Sequence, residues 1–190
     1  MSIIGIVFYF SLGGNVLVQW GLIPLRGAEK KTAPWGVAAF MAAAAVASTF
    51  DGLLFRYVLA PWNLESLAPV AFAFFLLGGF GAVRALQTLA GKADALRYDE
   101  RGFQTTLVLY AAAMLVGGRF SSVWYLLGGG AAAAFGYVAA TRFLEAILQR
   151  LDLEPIPAPF RGAPIRFICA GLMALAFSGI DAGFFARFID

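Results

Sequence analysis

Histidine is absent from the 190 residues, and there is one cysteine, Cys169. The first absence excludes a Ser/His or Cys/His catalytic arrangement. Together they exclude a metal centre built from Cys and His of this chain alone. A single thiol excludes an intrachain disulfide. Charge is scarce too. Asp, Glu, Lys and Arg make up 13% of the chain, against about a quarter in a soluble domain. So few ionised side chains cannot clothe a globular surface, which excludes an ordinary water-soluble enzyme and a charge-rich disordered segment alike. There is no phosphate-cradling P-loop and no Rossmann glycine pattern. The expectation is a chain with no catalytic residues of its own.

What it has is apolar mass. Hydrophobic residues make up 61%, with 19 Phe and 22 Gly, and the mean hydropathy is +0.81. These values predict an all-α integral membrane protein with the lipid bilayer as solvent. The net charge of +3 is no nucleic-acid footprint, because the Lys and Arg are dispersed between apolar runs rather than gathered with aromatics into a stripe.

Charged residues bracket six long uncharged stretches: 1–25, 32–50, 66–83, 102–118, 120–141 and one centred on 167–180. A helix needs about 20 apolar residues to cross the hydrocarbon core, so six spans are predicted. The first lacks a basic leader and a small-residue cleavage site and reads as a retained span. A hairpin turn, Pro24-Leu25-Arg26-Gly27, follows it. In this reading Asp51, Arg56 and Asp181 mark the outer ends of spans, and no ionisable group lies at the middle of one.

Eleven of the 14 Lys and Arg fall in loops one, three and five: Arg26, Lys30 and Lys31; Arg84, Lys92, Arg97 and Arg101; Arg142, Arg150, Arg161 and Arg166. Arg56, Arg119 and Arg187 lie on the other side. The positive-inside rule places the first set in the cytoplasm and both termini outside. Loop three divides the single membrane domain into two three-helix halves, 1–83 and 102–190. Three is odd, so any similarity between them is an inverted 3+3 repeat. Each half opens on a polar-interrupted span, Gly13-Gly14-Asn15 in the first and Gln104-Thr105-Thr106 in the second. Spans one and four are therefore candidates for broken half-helices, with two ordinary spans as the alternative.

Gly128, Ala132, Gly136 and Ala140 recur every four residues in span five. Such a ridge lets helix backbones approach closely, either inside the bundle or against another membrane protein. Asn15 and Gln19 are four apart, as neighbours on one helix face are. They read as interhelical hydrogen-bond formers or as a polar path for an ion or cofactor. Cys169, between Ile168 and Ala170, reads as a small hydrophobe.

The stretch Pro157-Ala158-Pro159-Phe160-Arg161-Gly162, with Ala170-Gly171-Leu172-Met173-Ala174-Leu175-Ala176-Phe177 after it, resembles the end of the RnfA/NqrE family. These are membrane subunits of the Rnf electron-transport complex and of the sodium-pumping NADH:quinone reductase. Gly21-Leu22-Ile23-Pro24 running into Gly27 and Lys30-Lys31 resembles the end of its first span. Pro61, Asn63-Leu64, Ala71-Phe72, Gly130, Gly136 and Arg150 extend the likeness over nearly the whole chain.

The resemblance implies six helices in an inverted repeat, both termini periplasmic, in a bacterial inner membrane. It implies an inverted partner of the RnfE/NqrD type. It also implies a 2Fe–2S cluster shared with that partner, two thiolates from each chain. Here the sequence departs from the family. The two cluster-ligand positions hold Ile23 and Ala113, neither of which can ligate iron. The family's acidic residue near the end of span three is replaced by Arg84. The expected function is thus a diverged, non-redox subunit of an electron-transport complex, acting as scaffold and partner interface, with no cofactor. As an enzyme it is expected to be at most a subunit of a membrane oxidoreductase complex. The alternative is a small transporter or channel that reuses the inverted repeat.

The charge asymmetry has a direct test. In a Cys169→Ser background, Lys92→Cys is expected to resist a membrane-impermeant maleimide in intact cells and to react in inverted vesicles. Labelling from outside would reverse the topology.

Overall fold

The computed structural model describes residues 3–11, 14–17, 21–23, 34–89, 100–120, 122–151 and 153–180. They are helical and contain no strand. Among the described residues six α-helices follow one another: α1 (Ile3–Ser11), α2 (Pro34–Leu54), α3 (Ala68–Leu89), α4 (Glu100–Gly117), α5 (Val123–Leu151) and α6 (Ala163–Ile180). Each falls within or across one of the six uncharged stretches. By length and composition, Val37–Trp62 and Val123–Leu151 are long enough and apolar enough to cross a membrane; Glu65–Gly78, Thr105–Gly117 and Ala163–Gly179 are shorter apolar helices.

Local chemistry accounts for the boundaries. α2 opens on Pro34, whose fixed φ and missing N–H suit a first helical position. Its middle is rich in alanine, the strongest helix former. Beyond Leu54 the chain stays helical through a π-helical segment, Phe55–Leu59, and a 3-10 turn, Ala60–Trp62. It stops at Asn63, which takes the left-handed conformation (φ 53°) that Asn tolerates at helix ends. The second membrane helix is therefore longer than the sequence reading, which ended it at Phe50. The reason is that Asp51 and Arg56 interrupt the apolar run without breaking helical geometry. Before α6, Pro157 leads into a 3-10 turn, Ala158–Phe160. Gly162 follows at φ 86°, and Arg161 Nε donates to the Ile156 carbonyl at 2.9 Å.

α2, α5, α4 and α1 make the centre. α2 packs against α5 and α4, and α1 packs against α5; α3 lies on α4, and α6 on α5. One apolar group joins Ile6 and Phe10 of α1, Val108, Ala112 and Val116 of α4, and Leu126 and Ala133 of α5. Phe10 is fully buried there, edge-on to Tyr9 and Phe120. A second group joins Leu17, Ala140, Leu144, Cys169, Ala170 and Met173. The outer helices turn large apolar side chains outward, including Phe74 and Phe75 of α3 and Leu172 and Leu175 of α6. A water-facing surface of that kind is unfavourable; a lipid-facing one is what the bilayer demands.

The sequence reading allowed for broken helices in spans one and four. α1 does end at Ser11, with Gly14 and Asn15 outside helical geometry before a helical Val16 and Leu17. α4, by contrast, runs unbroken through Gln104, Thr105 and Thr106. Gln and Thr have only mildly lower helix propensity than Ala, whereas Gly and Asn favour non-helical backbone.

The small-residue ridge of α5 faces α1 along part of its length. Ser11 Oγ donates to the Ala132 carbonyl at 3.4 Å. A Cβ at Gly136 would lie 2.6 Å from the Ser11 carbonyl oxygen and 2.7 Å from its Cα, while a Cβ at Gly128 meets nothing within 4 Å. Ala140 is buried in the second apolar group. The same substitution should therefore have opposite outcomes on one ridge. Gly136→Ala is expected to cost about 1–3 kcal/mol through overpacking against backbone. Gly128→Ala should stay within about 0.5 kcal/mol of the parent. Thermal unfolding in detergent measures both.

Candidate functional site

Among the described residues four polar ones are buried in the bundle: Asn15, Ser48, Asp51 and Thr106. Asn15 occupies the break after α1. Its Nδ2 donates to the Ser11 carbonyl at 3.1 Å, and its Oδ1 accepts from the Leu17 N–H at 3.0 Å. The Gly14 N–H donates to the Tyr9 carbonyl at 2.7 Å. One side chain thus satisfies a carbonyl left over at the end of α1 and caps the helical residues that follow. In lipid this matters, because freed backbone groups have no water to turn to. Asn15 spends its amide on its own segment rather than across helices, and it sits in the break rather than on a helix face. Gln19, paired with it in the sequence reading, lies outside the described residues.

Ser48 and Asp51 lie on α2 with Ala44, at spacings of four and three that place them on one helix face. Ala44 and Ser48 are fully buried, and Asp51 is 3% exposed. A Cβ at Gly130 of α5 would lie 2.5 Å from Ser48 Oγ, and a Cβ at Gly117, the end of α4, would collide with the Asp51 carboxylate. Glycine at both places makes room for these polar groups. Ser48 Oγ has no hydrogen-bond partner among the described residues. The sequence reading took Asp51 for the end of a span. The structure puts it near the middle of the helical run Val37–Trp62. The signal was present in Gly52-Leu53-Leu54 and Tyr57-Val58-Leu59, which resume the apolar run after the charge.

Ile23 and Ala113, the positions where the resemblance calls for thiolates, carry hydrocarbon side chains. Ile23 is half-buried against the group that holds Leu17, Leu144 and Cys169. Ala113 is fully buried on α4. Cys169 is a free, buried thiol on α6. No group of three or more His, Cys, Asp or Glu able to hold a metal ion occurs among the described residues. Ile23, Ala113 and Cys169 offer a branched hydrocarbon, a methyl and one thiol on another helix.

No family model matches the chain. It is similar to the A-type (RnfA) subunit of the ion-translocating oxidoreductase complex of Azotobacter vinelandii, with 32% identity over 175 residues, covering 87% of this chain and 89% of that protein. The protein of the same description from Syntrophotalea carbinolica is 32% identical over 170 residues, covering 84% of each chain. That from Thioalkalivibrio sulfidiphilus is 30% identical over 176 residues, covering 86% and 88%. The chain belongs to the RnfA family of ion-translocating oxidoreductase complexes. In this RnfA-type chain, the interior polar groups include Asn15 at a helix break and Ser48 with Asp51 between α2, α4 and α5.

The role given to Asn15 can be separated from simple packing. Asn15→Leu keeps the volume and strips two backbone groups of their partners. It is expected to cost about 1–3 kcal/mol for each group left unsatisfied. Asn15→Asp keeps the acceptor for the Leu17 N–H and loses the donor to Ser11. Unfolding midpoints in detergent should fall below the parent's for both N15D and N15L.

Proposed function

We propose that the chain is a membrane subunit of an ion-translocating electron-transport complex that keeps the family's scaffold and partner interface and holds no iron–sulfur cluster. One observation carries this: near-complete coverage of RnfA-type relatives, combined with Ile23 and Ala113 at the positions where the resemblance calls for thiolates. The chain sits in the bacterial inner membrane with both termini periplasmic, as the charge asymmetry between loops favours. Its partners are other integral membrane subunits, an RnfE/NqrD-like chain among them.

The halves 1–83 and 102–190 form an inverted 3+3 repeat in this reading. The helix contacts support it. α1 packs on α5 as α4 packs on α2, and α2 and α5 pack on each other. Exchanging the halves maps these three pairs onto one another, whereas the contacts of α3 with α4 and of α6 with α5 have no exchanged counterparts among the described residues.

Affinity purification of the tagged chain from its native membranes tests the function. The expected result is recovery of further membrane subunits in fixed stoichiometry, with no iron bound by this chain when it is isolated from them. Recovery as a stable homo-oligomer without partners would favour the transporter reading. A 2Fe–2S signal in reduced-state EPR that is lost on Cys169→Ser would overturn the absence of a cluster. Ile23→Cys combined with Ala113→Cys is the corresponding gain-of-function variant.

A further inference from the structure

α3 is held to the bundle chiefly through α4. Phe72 stacks on Tyr110, ring centroids 5.9 Å apart, and the Tyr110 hydroxyl donates to the Pro69 carbonyl at 3.2 Å. Towards α2 the helix stands off, and a groove of about 560 Å³ opens between the two. α2 lines it with Ala42, Ala43, Ala47 and Phe50, and α3 with Phe72 and Phe75. These side chains carry no polar atom, so water finds no partner there.

Neighbouring contacts fix the depth of the groove. α4 ends at Gly117, and Gly118 and Arg119 leave helical geometry and are exposed. Exposed backbone of that kind is not tolerated against hydrocarbon, so the α4–α5 turn marks a membrane surface. A Cβ at Gly117 would collide with the Asp51 carboxylate, and one at Gly52 would lie 2.6 Å from the Leu126 side chain. Residues 51 and 52 are therefore level with that turn, and Phe50 stands at the surface end of the groove. Ala42, eight residues earlier, lies about 12 Å deeper at 1.5 Å per residue. One leaflet of hydrocarbon is about 15 Å deep, so the groove runs through most of one leaflet.

Its width selects the occupant. Phe50 and Phe75 meet edge to face across the surface end, ring centroids 5.6 Å apart, whereas a helix with its side chains is about 10–12 Å across. A partner helix can lie over this groove and not in it; one extended hydrocarbon chain fits. Above Phe50, exposed Leu53 and Tyr57 continue the same face of α2 at helical spacing. Arg56 is exposed too. It lies six residues past Phe50, about 9 Å further out, where the headgroup layer follows the hydrocarbon. A guanidinium there is matched in charge and geometry to a phosphate.

We propose that the α2–α3 groove binds a phospholipid of that leaflet. One acyl chain lies along Ala42–Phe50, and the phosphate is received by Arg56 and the Tyr57 hydroxyl. The acyl chain supplies the dispersion contacts that α2 and α3 do not make with each other. The site requires only that the chain lie in a bilayer, and it goes beyond the subunit reading.

The test starts from the full chain, with whatever subunits accompany it, in vesicles of phosphatidylethanolamine and phosphatidylglycerol. A trace of phosphatidylethanolamine carries a diazirine midway along one acyl chain. Irradiation follows detergent extraction and washing, when loosely held lipid has gone. Adducts are expected at Ala43, Ala47 or Leu76, and not at Leu172 or Leu175 on the outward face of α6. Native mass spectrometry should show a single phospholipid retained by the chain. Ala43→Phe fills the groove and should abolish retention, while Leu172→Phe should not alter it. Arg56→Gln, on an exposed face that packing does not need, should weaken retention about tenfold and carries the test should Ala43→Phe not fold. Loss of all phospholipid on washing, adducts spread evenly over α3 and α6, a retained prenyl quinone instead of a phospholipid, or retention unchanged in Arg56→Gln and in a folded Ala43→Phe overturns the site. Lipid kept in the groove of a chain that brings no partners leaves the site standing without the subunit reading. Partners recovered with an empty groove leave that reading standing without the site.

Discussion

At Gly130 the backbones of α2 and α5 come together: a Cβ there would lie 2.6 Å from the Ala44 carbonyl oxygen. Apolar side chains gain little by leaving lipid for one another, so helices in a bilayer associate through close packing and hydrogen bonding. The α2–α5 contact supplies the first of these. Once it is set, α4 fits against α2 and α1 against α5, and the outer pair, α3 and α6, attach to the resulting core. Gly52 against Leu126 and Gly129 against Val116 repeat the same device at neighbouring levels. A bundle held this way cannot exchange its glycines freely, and two of its interior polar side chains, Ser48 and Asp51, each lie against a glycine.

Much of this was legible in the sequence because lipid penalises charge. Stretches free of Asp, Glu, Lys and Arg located the six described helices, and the same penalty misled at Asp51. A charge was read as the end of a span, whereas the helix continues because Gly117 opens a space for the carboxylate between helices. No spacing rule along α2 reveals a partner glycine on another element; that information is tertiary. The unbroken α4 has a similar origin. Polar residues at 104–106 suggested an interruption, but only the Gly-Asn pair at 14–15 has the backbone preferences that make one. The ridge of α5 was visible as a pattern, while its division into a part against α1 at Gly136 and an open part at Gly128 was not.

The kinship of the chain shows over most of its length, in residues that turn, pack and orient helices. In the proposed reading, the residues at 23 and 113 are the ones that change what the scaffold carries. A fold held by glycine contacts and apolar groups does not depend on thiolates at those positions. Asn15 illustrates the division of labour: an interior amide that looks like a path for ions is committed to backbone groups of its own segment.

The π-helical segment Phe55–Leu59 bears on how such a chain varies. Its last hydrogen bond runs from the Ala60 N–H to the Phe55 carbonyl, five residues back. A π turn is an α-helix that has accepted one residue too many without ending. Loss of a single codon here would return the run to plain α geometry, leaving the Ser48–Asp51 face and the Trp62 end in their present orientations. Elsewhere in α2 the same deletion would rotate every later side chain by about 100°. The segment is thus the place where this membrane helix can tolerate a change of length in its gene.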